Sequence, residues 1–122
     1  MTDFHLRRIS PVAQFGEVSV DFRKMELCRA NRPVDVTLQE FKVLKFLVSR
    51  PEIVISRQKL ISALWPKRKR SSDRTVDNCI AKLRRKIETN PDCPVFLRTV
   101  HGVGYKFVPQ EGPRPLWQGL AE

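Results

Sequence analysis

Residues 73–89 can bury only one side. At 100° per residue, Val76, Ile80, Leu83 and Ile87 fall within about 60° of one another, so a helix here carries a single apolar face. Centred on the opposite side lie Arg74, Asn78, Lys82 and Arg85, with Thr75 on one flank. Arg84 sits at the flank beside Asp77, while Cys79 and Lys86 sit at the other. Asn90-Pro91 closes the run, because the residue before a proline avoids helical dihedrals. A helix of this kind needs a scaffold to cover one face and a partner for its row of long donors.

Charge says what kind of partner. The chain holds 23 Lys+Arg against 13 Asp+Glu, a net of +10. Residues 67–86 contain nine basic side chains, Lys67, Arg68, Lys69, Arg70, Arg74, Lys82, Arg84, Arg85 and Lys86, against Asp73 and Asp77, and so supply +7 of that total. Residues 1–31 and 87–122 are close to neutral. A localised patch of this sort is the footprint of a polyanion binder. At 122 residues and 41% apolar the chain is one domain with a modest core. Its longest run without a charge, Ile9 to Gly16, is eight residues, against the roughly 20 that a membrane span needs. The start lacks the apolar stretch of a secretory signal. Cys28, Cys79 and Cys93 match no zinc spacing, and His5 and His101 have no ligand-type neighbours, so neither a metal nor a cofactor is expected. A reduced, cytoplasmic protein follows.

The remaining elements make the scaffold. Residues 1–14 read as a linker-like lead-in and 109–122 as a tail, leaving a domain over 15–108. Short β-like runs occur at Val12–Phe15, Val18–Phe22, Met25–Arg29 and Pro33–Val36, with turns at Gly16 and at Arg29-Ala30-Asn31-Arg32. Thr37-Leu38-Gln39-Glu40 is a capping box that opens a helix ending near Ser49, ahead of Pro51. Its apolar positions are too many for one stripe, so it is covered on two sides. After the β-branched run Ile53-Val54-Ile55, Ser56 caps a second helix over Arg57–Leu64, which Pro66 stops. Beyond the third helix, Val95–His101 and Tyr105–Val108 flank Gly102-Val103-Gly104 as a hairpin. The fold class is α+β: a short N-terminal antiparallel sheet, three helices and a C-terminal β-hairpin wing, a winged helix-turn-helix. In that arrangement the third helix enters the major groove and the hairpin reaches the adjacent groove.

Five segments also resemble a known family. Leu38-Gln39-Glu40-Phe41-Lys42-Val43-Leu44, Ser56-Arg57-Gln58-Lys59-Leu60, Arg74-Thr75-Val76-Asp77, Lys82-Leu83-Arg84-Arg85-Lys86 and Thr99-Val100-His101-Gly102-Val103-Gly104-Tyr105-Lys106-Phe107 are similar, in order and spacing, to the OmpR/PhoB-type effector domains of response regulators. The resemblance covers about residues 15–108. It implies sequence-specific binding to promoter DNA for transcription regulation, with a head-to-tail homodimer on direct repeats. It further implies that the loop Lys67, Arg68, Lys69, Arg70 can touch RNA polymerase, although this loop is more basic than the family's usual one. By position, Asn78, Cys79 and Lys82 match base-facing residues, and Arg85 shares their face. Arg74, Thr75 and Arg84 match positions near phosphates, as do Thr99, Lys106 and Tyr105 on the wing. His101 occupies the wing tip where Arg is usual, and Pro66 stands where Gly usually follows the Trp. Residues 6–15 resemble the linker that leads into such domains, so the chain reads as the output half of a two-component response regulator with a receiver domain, with a stand-alone regulator as the alternative.

Several residues keep a plainer reading. Lys67–Arg70 read alone is a solvated charge run. Arg84 fits either a phosphate or an i,i+4 pair with Glu88. Asp77 cannot face phosphate favourably, so it pairs with an Arg that it orients. Cys79 is a small tolerant residue, and Tyr105 fits hairpin packing as well as phosphate. Two other function classes fit the residues less well. No phosphate-loop, paired-carboxylate or nucleophile-elbow motif appears, which argues against an enzyme. A winged-helix protein-interaction module would carry an apolar or acidic third helix, not a basic one.

Overall fold

The computed structural model describes residues 12–66 and 72–109. The loop Lys67 to Arg70, expected to touch polymerase, lies outside the described residues, as do 1–11 and 110–122. Four strands open the fold: β1 (Val12–Phe15), β2 (Val18–Asp21), β3 (Glu26–Arg29) and β4 (Arg32–Val34), in an antiparallel meander of that order. The chain reverses where it enters left-handed dihedrals, at Gly16 (φ 56°) and at the pair Ala30 (φ 51°) and Asn31 (φ 63°). The lead-in expected over 1–14 is too long. Val12, Ala13 and Gln14 pair with Asp21, Val20 and Ser19, so the folded unit includes them.

Helix α1 (Leu38–Val48) begins with the expected capping box: Thr37 Oγ1 accepts from the Glu40 amide at 3.1 Å, and Glu40 Oε1 accepts from the Thr37 amide at 3.0 Å. Both sides of this helix are covered. Val43, Leu44 and Leu47 are fully buried, and Phe41 meets Phe22 of the sheet side edge to face at 6.5 Å. Helix α2 (Arg57–Leu64) starts from Ser56, whose hydroxyl accepts from the Lys59 amide. Helix α3 (Asp73–Ile87) buries Val76, Ile80, Leu83 and Ile87, the face that periodicity selects. Burying four such side chains stabilises the fold by about 1.5–3 kcal/mol each before chain entropy is counted.

Helix α3 stops two residues short of the expected Thr89. Glu88 turns to extended dihedrals (φ −88°, ψ 143°) and becomes one of the most buried side chains, at 1% exposure. Its carboxylate accepts from the amides of Val95, Phe96 and Leu97 at 2.7 to 3.2 Å. The i,i+4 surface pair with Glu88, the plainer of the two readings of Arg84, is therefore absent. Three clustered backbone donors hold the carboxylate in the interior, away from the half-buried Arg84 guanidinium.

The wing is built from β6 (Leu97–Val100) and β7 (Gly104–Phe107), joined by a turn in which the Val103 amide donates to the Val100 carbonyl at 2.9 Å. Gly102 takes φ +79°, as the third residue of a type II turn requires. A short strand β5 (Ile55–Ser56) joins β7's other edge, giving the order β5-β7-β6. Gly104 permits that pairing, since a Cβ there would lie 2.0 Å from the Ile55 carbonyl oxygen. At the wing's root Phe15 packs edge to face on Phe96 and Phe107, each at 4.9 Å, locking β1 to the hairpin.

Candidate nucleic-acid interface

Opposite its buried stripe, α3 presents Arg74, Asn78, Lys82 and Arg85, all exposed. Thr75 is half-buried, and its hydroxyl accepts from the Ser72 amide at 3.4 Å. Asn78 and Lys82 border a cleft of about 290 Å³ whose other walls include Thr37, Gln39 and Trp65. The face thus combines an amide, which matches adenine, with long cations, which match guanine or phosphate.

Cys79 does not belong to that face. Its side chain is buried at 8% exposure among the core residues. Burial, reinforced by the charge of Glu40, pushes its thiol up to about 11. The resemblance implied a base-facing role for Cys79, whereas the structure sets it at the buried edge of the Asn78–Lys82 cleft, on the flank of α3 that turns under α1. On the same flank Lys86 donates to Glu40 Oε1 at 2.6 Å, so the capping-box carboxylate also ties α1 to α3. Burial works to raise the Glu40 carboxyl, but the bonds from Lys86 and Thr37 outweigh it and hold its pKa below the ordinary value.

The other flank of α3 meets α2 and the wing. Arg84 Nε donates to the Leu97 carbonyl at 2.9 Å, and Nη2 to Thr99 Oγ1 at 2.7 Å. Its guanidinium lies 5.5 Å from the Tyr105 ring centre. Tyr105 is 4% exposed and its hydroxyl donates to Asp77 Oδ1. These three side chains were expected at phosphates, and in the structure all three are engaged in bonds that hold α3 to the wing. Each finds a partner within the chain. Lys106 on β7 is half-buried, and His101 stands exposed in the wing turn.

Asp77 pairs with Arg57, whose Nε donates to Oδ1 at 2.8 Å, so the Arg that Asp77 orients is the first residue of α2. Burial works to raise the Asp77 carboxyl, but the hydrogen bonds from Tyr105 and Arg57, with the Arg57 and Arg84 charges, hold it below its ordinary value. Burial and the bond to Asp77 push the Tyr105 hydroxyl up, keeping it a donor. Sequence reasoning gave Arg57 no site role. Its only signal was a lone acidic residue on a basic helix that needed a cation.

Comparison with known proteins bears on this surface. Residues 31–107 match the family described as "Transcriptional regulatory protein, C terminal". The chain is 33% identical over 105 residues to the transcriptional regulatory protein AfsQ1 of Streptomyces coelicolor, covering 86% of this chain and 47% of that protein. It therefore spans about half the length of the curated relatives it matches. The response regulator DrrB of Thermotoga maritima, an OmpR/PhoB homolog, superimposes with a TM-score of 0.76 at 29% identity, over 88% of this chain and 49% of that one. The DNA-binding domain of RstA from Klebsiella pneumoniae, solved in complex with the RstA box, gives a TM-score of 0.71 at 26% identity, over 81% of this chain and 98% of that one.

Proposed function

Because this chain belongs to the transcriptional regulatory protein C-terminal family, the OmpR/PhoB type that its motifs resemble, we propose that residues 12–108 bind double-stranded promoter DNA sequence-specifically. Helix α3 enters the major groove, and the wing lies along the adjacent groove. The observation that carries this reading is the exposed row Arg74, Asn78, Lys82 and Arg85, backed by a buried stripe that leaves α3 no other face to present. Asn78, Lys82 and Arg85 read base edges. Arg74, Thr75 and Lys106 contact phosphates, and His101 sits at the wing tip over the groove. The complex of the RstA domain with its box supports the mode of binding.

Three wider readings extend the proposal. Two copies pair head to tail on direct repeats, the Lys67–Arg70 loop meets RNA polymerase, and a receiver domain in the parent protein governs both. No helix among the described residues is long and apolar enough to cross a membrane.

A salt titration on duplex DNA tests the central reading. With about four to six phosphates neutralised, the log–log slope of affinity against salt is on the order of −4 to −5 per monomer. Asn78→Ala and Lys82→Ala should each flatten preference at one or two base pairs of a site selected from random sequence. A slope shallower than about −1 would remove DNA as the ligand. An unchanged preferred sequence in both variants would remove α3 as the reader.

A further inference from the structure

The wing and α3 meet at a notch floored by side chains from three elements: Arg57 of α2, Asp77 and Arg84 of α3, and Thr99 and Tyr105 of the wing. If α3 fills a major groove and the wing lies over the next groove, the sugar–phosphate strand between those grooves crosses this notch. A carboxylate is the wrong group to find there. Yet the Asp77 side chain is 41% exposed and Arg57 beside it is 28% exposed, so both reach the notch surface.

The hydrogen-bond pattern resolves the contradiction. Oδ1 of Asp77 receives Nε of Arg57 at 2.8 Å and the Tyr105 hydroxyl as well. Nε is the inner nitrogen of the guanidinium, so both terminal amino groups stay out of that bond, and the group is held a second time through the Tyr105 hydroxyl. The Arg57 guanidinium is also flanked by the Tyr105 ring, with 5.6 Å between its carbon and the ring centre. A guanidinium gripped at Nε and backed by an aromatic side chain has lost most of its rotational freedom while its outward terminal amino group keeps donors for a phosphate. Arg84 on the same floor is held differently, with Nε on the Leu97 carbonyl and Nη2 on Thr99, so it backs the site without presenting a free fork.

We propose that Arg57 binds a backbone phosphate of the DNA in the notch between α3 and the wing, and that Asp77 is the positioning residue that aims it. The proposal rests on the DNA-binding reading above and deepens it. It makes a prediction of unusual sign. Deleting an acidic charge from a DNA-facing surface ordinarily strengthens binding, whereas Asp77→Asn weakens it here because Arg57 loses its anchor.

The test uses the full chain and a labelled mixed-sequence duplex of about three helical turns, since phosphate contacts carry no sequence information. Circular dichroism first confirms that each variant is folded at the assay temperature. Arg57→Gln should weaken binding about tenfold and make the salt slope shallower by about 1. Asp77→Asn should weaken binding by a similar factor, but in the Arg57→Gln background the same change should bring no further loss. Arg57→Lys keeps the charge but has no fork to leave free, and it should recover little. Asp77→Asn binding as tightly as the parent, or weakening both backgrounds equally, would overturn the proposal. So would full affinity in Arg57→Lys, which also decides the matter if Asp77→Asn fails to fold. Failure of the parent chain to bind duplex at low salt is a separate result and strikes at the DNA-binding reading itself.

Discussion

Replacing Glu88 with glutamine changes one oxygen to an amino group and leaves the side chain's shape almost intact. In the parent, Oε1 accepts from the amides of Val95 and Phe96, and Oε2 from those of Phe96 and Leu97. The site is closed to water, with Glu88 at 1% exposure and Phe96 and Leu97 at 4% and 0%. Glutamine offers one acceptor oxygen, so its amino group faces at least one amide as donor against donor. The loss is one hydrogen bond to a charged group plus a stranded buried N–H, together about 2–3 kcal/mol. For a domain of this size that is a fall of roughly 10–20 °C in melting midpoint. Thermal and urea unfolding followed by circular dichroism measure it, with Glu26→Gln on the exposed face of β3 as a control expected within about 0.5 kcal/mol of the parent. A Glu88→Gln midpoint within about 2 °C of the parent would show that the amide cluster does not hold the end of α3 to the wing.

Arg84→Ala should act on the fold, lowering the melting midpoint through its lost bonds to Leu97 and Thr99, whereas Arg85→Ala should leave the midpoint unchanged and weaken DNA binding; equal midpoints for the two would refute the assignment. Gly104→Ala drives a methyl onto the Ile55 carbonyl and should cost well over 3 kcal/mol, while Gly102→Ala meets open space and should cost only about 1–2 kcal/mol for its left-handed backbone, an order that paired melts can reverse. Asp77 and Glu40 both have depressed folded-state pKa values, so each contributes stability that is present above its ordinary value of 3.8 or 4.5 and is lost as pH falls through the folded value. The melting midpoint should therefore fall with acid below about pH 4.5, less steeply in Glu40→Gln, and a midpoint flat down to pH 3 would contradict the ion pairs. Cys79, buried with its thiol raised to about 11, should resist alkylation at pH 8 until the chain unfolds, while exposed Cys93 labels at once; mass spectrometry of the modified peptides decides.

Much of the scaffold follows from local rules. The capping box at Thr37, the cap at Ser56 and the prolines at 51, 66 and 91 bound the three helices, because caps and prolines act through the backbone within one turn of themselves. The buried stripe of α3 is equally local, since four β-branched or leucine side chains at helical spacing share a face whatever covers it. The exposed row opposite follows from the same geometry, which is why Arg74, Asn78, Lys82 and Arg85 stand where periodicity puts them.

The flanks of that helix were decided elsewhere. Periodicity assigns a direction around an axis, but a flank residue is exposed or buried according to which distant element arrives beside it. Cys79 went under α1, and Tyr105 reached back to Asp77 across 28 residues of sequence. Arg84 was taken up by Leu97 and Thr99, 13 and 15 residues away. Arg57 met Asp77 across 20 residues, and the two-residue strand β5 became a strand only because β7 offered it an edge. A long polar side chain near a helix flank has many satisfying partners in an unfolded chain. Which one it keeps is set by burial and hydrogen-bond satisfaction after the elements pack, so the sequence placed the donors on and beside one helix face while tertiary structure alone decided which of them remain exposed.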